Sequence, residues 1–143
     1  MNQEAAYNQS FKIRGGDFAN AGTVSVQIKK VLKEIGVKPE IVYKVSICCY
    51  EAEMNIVMYA EEATLDFTIT PERIMVEIKD KGPGIENIEQ ALKEGFSTAT
   101  REMREMGFGA GMGLPNIMKN SDEFFIESVV SEGTKLKFIV NLD

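Results

Sequence analysis

Two polar side chains one helical turn apart, Glu51 and Asn55 in "EAEMN", open the chemical reading of this chain. Residues at i and i+4 on a helix lie on one face, so a carboxylate and a carboxamide there reach a common ligand. On their own they read more simply as a solvated Glu beside an ordinary Asn. The chain contains no histidine. Acid–base chemistry therefore falls to a carboxylate, a lysine, a tyrosine or a thiol. A second candidate is "DKGPG", where Asp80 is followed by Gly82 and Gly84. Such a turn lets backbone approach a ligand while the acid points into a pocket. A third is "GFGAGMG", with glycines at 107, 109, 111 and 113. Glycine at alternate positions suits neither helix nor strand, at about 1 kcal/mol of backbone order each. Its closely spaced N–H groups suit an anion, and a phosphate chain is the natural occupant. No G-x-x-x-x-G-K-[ST] element is present, and the cluster does not follow a strand early in the chain. A P-loop and a dinucleotide fingerprint are both excluded.

The elements that must position these groups follow from periodicity. "FKIR" (11–14) alternates as a short strand. Val24, Ile28, Val31, Leu32 and Ile35 keep helical spacing from about Asn20 until Gly36. Pro39 opens a second helix that runs to about Ala60. With Ile41 at zero, Val45, Cys48, Ala52 and Tyr59 fall within about 40 degrees of it on a helical wheel. Glu51 and Asn55 fall near about 280 and 320 degrees, on the shoulder of that buried face. Glu53, near about 120 degrees, points elsewhere and reads as an inert control. "LDFTI" and "IMVEIK" around "TPER" read as a hairpin, as do "DEFFIESVV" and "KLKFIVNL" around "SEGT". A short helix is expected over 86–93, and Pro115 suits the first residue of a helix after the glycines. Hairpins with helices between them predict a two-layer α+β sandwich, a mixed, mostly antiparallel sheet with helices on one face.

Composition limits the function classes. A chain of 143 residues is the size of one domain. The division expected is a flexible N-terminus over 1–9 and a single domain over 10–143. A net charge of −6 argues against nucleic acid and for a protein or small-molecule partner. Cys48 and Cys49 adjoin in an apolar run and read as reduced core thiols. Neither a leader pattern nor a membrane span is read from the sequence, so the expected location is the cytoplasm.

Jointly the motifs are specific. Glu51-x-x-x-Asn55, Asp80-x-Gly82-x-Gly84, Gly109-x-Gly111-x-Gly113-Leu114 and Gly133-Thr134 occur in that order. Over about residues 10–142 the chain resembles the GHKL superfamily of ATP-binding (Bergerat-fold) domains. "NIVMYA", "DKGPGI", "GFSTAT", "GFGAGMGLPNIMKNSDEFFIES" and "SEGT" are most similar to the short bacterial anti-sigma and switch serine/threonine kinases. Tyr59 stands where many other members carry a histidine, which fits the switch kinases better than classical sensor kinases.

The resemblance implies ATP and Mg²⁺ as cofactors, with roles assigned residue by residue. Asn55 is implied as the Mg²⁺ ligand and Glu51 as the residue that orients or deprotonates the attacking hydroxyl. Asp80 is implied as acceptor for the adenine amino group, with Thr134 beside it. Gly82 and Gly84 would let backbone pass the base. Gly109, Gly111, Gly113 and Leu114 would wrap the phosphates. Residues 96–113 would form the ATP lid, from which Arg101 or Arg104 reaches the γ-phosphate. The implied partner is a STAS-domain antagonist phosphorylated on Ser or Thr. A sigma factor and a second copy of the chain stay open as further partners. Two other readings also stay open: an ATP-gated anti-sigma binding module, and a stand-alone sensor histidine-kinase-like catalytic domain.

Overall fold

The structure is a computed structural model that describes residues 7–93 and 113–142. Of the expected lid over 96–113, residues 96–112, with Gly109, Gly111, Arg101 and Arg104, lie outside the described residues.

Strand β1 (Tyr7–Arg14) leads through a 3-10 turn (Phe18–Asn20) to helix α1 (Thr23–Ile35) and then α2 (Pro39–Tyr59). Strands β2 (Glu62–Ile69) and β3 (Arg73–Lys81) precede α3 (Ile88–Ala91). Helix α4 (Gly113–Lys119), β4 (Glu123–Val129) and β5 (Gly133–Asn141) complete the described chain. The five strands form one sheet in the order β1-β2-β3-β5-β4. All four pairings are antiparallel, so the sheet is not mixed as the sequence reading allowed. The α+β class holds. β1 also begins earlier than expected: Tyr7, Asn8 and Gln9 pair with Ile69, Thr68 and Phe67. Those residues had been read as part of a loose N-terminus, because polar Asn8, Gln9 and Ser10 hide the strand period.

The strands alternate as period-two patterning requires. Leu65, Phe67, Ile74, Val76 and Phe138 are fully buried on the face that meets the helices. Helix α2 lies at the centre of the layer, touching α1, α4 and strands β1, β2, β3 and β5. Being covered on two sides, it buries Val42, Cys49, Ile56 and Val57 as well as Ile41, Val45, Cys48 and Ala52. A single wheel stripe underestimates that arc. Helix α1 starts at Thr23 rather than Asn20 and ends as expected, with Gly36 in the left-handed region at φ 91°.

The wider arc corrects the reading of Glu53. Its side chain is 2% exposed. One carboxylate oxygen accepts from the N–H groups of Gly22 (3.0 Å) and Val24 (3.2 Å), and the other from Ser25 N–H (2.9 Å). These are donors at the start of α1 that have no partner within the helix. The positive end of the helix dipole favours the same charge. Helix α1 thus takes its N-terminal cap from α2, because Gly22 at its own N-cap position has no side chain. Glu53→Gln turns a donor towards at least one N–H and removes the charge. Hydrogen bonds to charged groups are worth about 1.5–3 kcal/mol each, so a Tm several degrees lower is expected in thermal unfolding. An unchanged Tm would mean that this carboxylate does not hold α1.

Candidate nucleotide site

The site forms where the last turns of α2 meet the turn after β3, the tip of the β4–β5 hairpin and the first turn of α4. Helix α2 presents Glu51 and Asn55, both half-buried, on the shoulder that the wheel indicated. Asn55 faces the start of α4. A Cβ built on Gly113 would stand 3.2 Å from Asn55 Oδ1 and 3.4 Å from Nδ2. Gly113 is therefore the residue that lets α4 begin directly over the carboxamide. Leu114 packs against the core from the next position. Pro115 is buried in the first turn, two residues later than expected, where a missing N–H leaves no helical bond unmade.

Glu51 has a partner that the sequence reading missed. Asn116, also on α4, donates from Nδ2 to Glu51 Oε2 at 2.6 Å. The backbone oxygen of Asn116 accepts from Asn120 N–H (3.1 Å) and Asn120 Nδ2 (2.9 Å), which holds the turn. One residue further, Ile117 is fully buried and its carbonyl accepts from Cys48 Sγ at 3.6 Å. Burial pushes the Cys48 thiol up to about 12, and Cys49 is also raised strongly by burial. Burial therefore keeps both cysteines as thiols.

Asp80 and Thr134 are brought together. Lys79 pairs with Lys135, and the next residue along β5, Thr134, donates its backbone N–H to Asp80 Oδ1 at 3.0 Å. Thr134 Oγ1 lies 2.8 Å from Ser128 Oγ, which also accepts from Ile85 N–H at 2.8 Å. Ser128 thus ties the loop after β3 to the hairpin. The sequence signal for it was a serine in the inward phase of β4 after Phe124 and Ile126. Burial pushes the Asp80 carboxyl upward, and the Thr134 N–H opposes that shift without cancelling it.

The two glycines after Asp80 serve the protein itself. At Gly84, φ is 74° and a Cβ would stand 2.4 Å from the Val129 carbonyl oxygen. At Gly82 a Cβ would come within 3.1 Å of Ala60 Cα, at the end of α2. The close approach expected here is real, but the neighbouring surface is backbone.

Among the described residues no cluster of three His, Cys, Asp or Glu side chains could hold a metal. Asn55 offers a hard oxygen donor with no protein hydrogen-bond partner among those residues, which suits Mg²⁺ if phosphate and water complete the shell. Likewise no described helix is long and apolar enough to cross a membrane.

Comparison with known proteins shows the family and the fold. A family model described as "Histidine kinase-like ATPase domain" matches residues 17–140. The serine/threonine-protein kinase RsbT of Bacillus subtilis (strain 168) is 30% identical over 115 residues, covering 78% of this chain and 80% of that protein. The anti-sigma F factor of Thermoanaerobacter sp. (strain X514) is 30% identical over 117 residues, covering 79% of this chain and 74% of that one. In fold, the chain superposes on a chain of the SiaB–SiaC complex from Pseudomonas aeruginosa with a TM-score of 0.65. That match covers 96% of this chain and 90% of the other at 14% sequence identity.

Asp80 generates a prediction that needs no ligand. Its folded-state carboxyl holds a proton more tightly than in the unfolded chain, so stability is lost as pH rises from about 4, the ordinary aspartate value, through the raised one. Asp80→Asn removes that titration. The Tm of the variant relative to the unmodified protein is expected to improve between pH 4 and pH 7. A difference constant across that range would remove burial as the dominant influence on this carboxyl.

Proposed function

The chain belongs to the histidine kinase-like ATPase family, an ATP-binding family in which its relatives are anti-sigma factors and a serine/threonine kinase, and from that premise we propose that it is an ATP-dependent protein serine/threonine kinase of the anti-sigma regulatory type. Its proposed substrate is a Ser or Thr on a STAS-domain antagonist protein. The observation that carries this reading is the pairing on α2. Asn55 lies against Gly113 at the end of the glycine cluster, and Glu51 stands one turn back, tethered by Asn116.

Asn55 would hold Mg²⁺, which when bound supplies positive charge to the phosphate oxygens. Asp80, braced by Thr134, would accept from the adenine amino group, which guanine lacks at that position. Glu51 would take the proton from the acceptor hydroxyl as that oxygen bonds to the γ-phosphorus. The bond from the γ-phosphorus to the bridging oxygen breaks, and ADP leaves with its electron pair.

The test separates the two α2 residues. General-base assistance is worth about 10² to 10⁴ in rate. Glu51→Gln is therefore expected to slow single-turnover phosphorylation of the partner over that range while ATP affinity stays nearly intact. Asn55→Ala should weaken Mg²⁺-dependent nucleotide binding and turnover together. The phosphoprotein should survive acid, as a phosphoserine does and a phosphohistidine does not. Full activity in Glu51→Gln would remove the base assignment. ATP binding without transfer to any partner would favour an ATP-gated binding module acting as an anti-sigma factor, the name that one relative carries.

ATP should raise Tm, by about 2.7 kcal/mol of stability at 100 times its dissociation constant, and GTP far less. Asp80→Asn should abolish most of the ATP shift. Equal shifts with both nucleotides would overturn the role of Asp80.

A further inference from the structure

Glu51 is not a free carboxylate. Asn116 donates to Oε2 at 2.6 Å, a short bond of the kind expected when the acceptor is charged. A carboxylate on a long side chain otherwise samples several rotamers, and a base must stay within hydrogen-bond reach of the proton it removes. The tether occupies Oε2, and among the described residues no hydrogen bond takes Oε1, which would serve the acceptor hydroxyl. Asn116 is itself fixed by the Asn120 bonds to its backbone oxygen and by its buried neighbours Pro115 and Ile117.

We propose that Asn116 is a positioning residue for phosphoryl transfer, holding the Glu51 carboxylate in register with the nucleotide from the first turn of α4. The role rests on the kinase reading above and extends it. Gly113 and Asn116 stand one turn apart on α4, against Asn55 and Glu51, which stand one turn apart on α2. The two helices therefore engage through matched pairs, one at the metal ligand and one at the base. A displacement of α4 that withdrew Gly113 from Asn55 would also release Glu51. The position of α4 then sets whether the base is aligned.

The test uses the full chain, labelled Mg-ATP and purified STAS-domain proteins of the same genome as acceptors. Hydrolysis by water is followed in parallel. Asn116→Ala is expected to lower kcat about tenfold or more while the KM for ATP and the ATP-induced Tm shift stay unchanged. Asn116→Asp keeps the shape but sets a second carboxylate against Glu51, so it should be at least as slow as alanine. If Asn116 acts through Glu51, Asn116→Ala adds nothing in a Glu51→Gln background, a complete failure of additivity. Full kcat in Asn116→Ala, a fully additive loss in the double variant, or an Asn116→Asp faster than alanine overturns the positioning role while the kinase reading stands. If the unmodified chain passes phosphate neither to a STAS-domain protein nor to water, the kinase reading falls and takes this role with it.

Discussion

The rotation of α2 about its own axis is the constraint on which the site depends. Three residues at alternate positions, Glu51, Glu53 and Asn55, divide between two sides of that helix. Glu53 accepts three backbone N–H groups from the start of α1, and those bonds tolerate little roll. A turn of one residue's width, about 100 degrees, would strand a buried carboxylate without partners. The cap on α1 therefore fixes the direction in which Glu51 and Asn55 point. The apolar contacts of Val45, Cys48 and Ala52 set how close α2 lies to the sheet, but they are non-directional.

The Asp80 side of the candidate site is held in a different way. Asp80 sits at the end of a central strand, and its placement comes from sheet register. A slip of one residue would turn its side chain to the other face. The Thr134 amide and the Ser128 hydroxyl then join the carboxylate and the loop after β3 to a single hairpin. Because that carboxylate is partly desolvated, its one backbone partner bears on the charge more than it would in water.

How much of this was legible depended on whether the signal was local. The shoulder of α2 was readable because Pro39 marks the start of the helix and its 21 residues leave the spacing of Glu51 and Asn55 well inside it. The alternation in β2 and β3 was readable for the same reason. The role of Glu53 was not, because a wheel assumes one buried stripe and α2 has α1 on a second side. Asn116 carried no signal of its own: its partner lies 65 residues away, and only the packing of α4 on α2 joins them. The glycines at 82 and 84 also make room for the end of α2 and for the hairpin tip, two surfaces that no local pattern announces.

The contact at Gly84 reaches beyond the site into how such a chain can diverge. The Val129 carbonyl fills the space above Gly84, Ser131 N–H donates to Pro83 O, and Gly133, at φ 150°, passes over the Asp80 carbonyl. Two turns distant in sequence are thus interlocked largely backbone to backbone, with Ser128 and Asp80 adding side-chain bonds across the same junction. An insertion or deletion anywhere in 129–133 would have to be matched by a compensating change in 82–85. Hairpin tips are ordinarily where proteins accept new segments most readily. Here the tip lacks that freedom, because its backbone is held against the turn after β3.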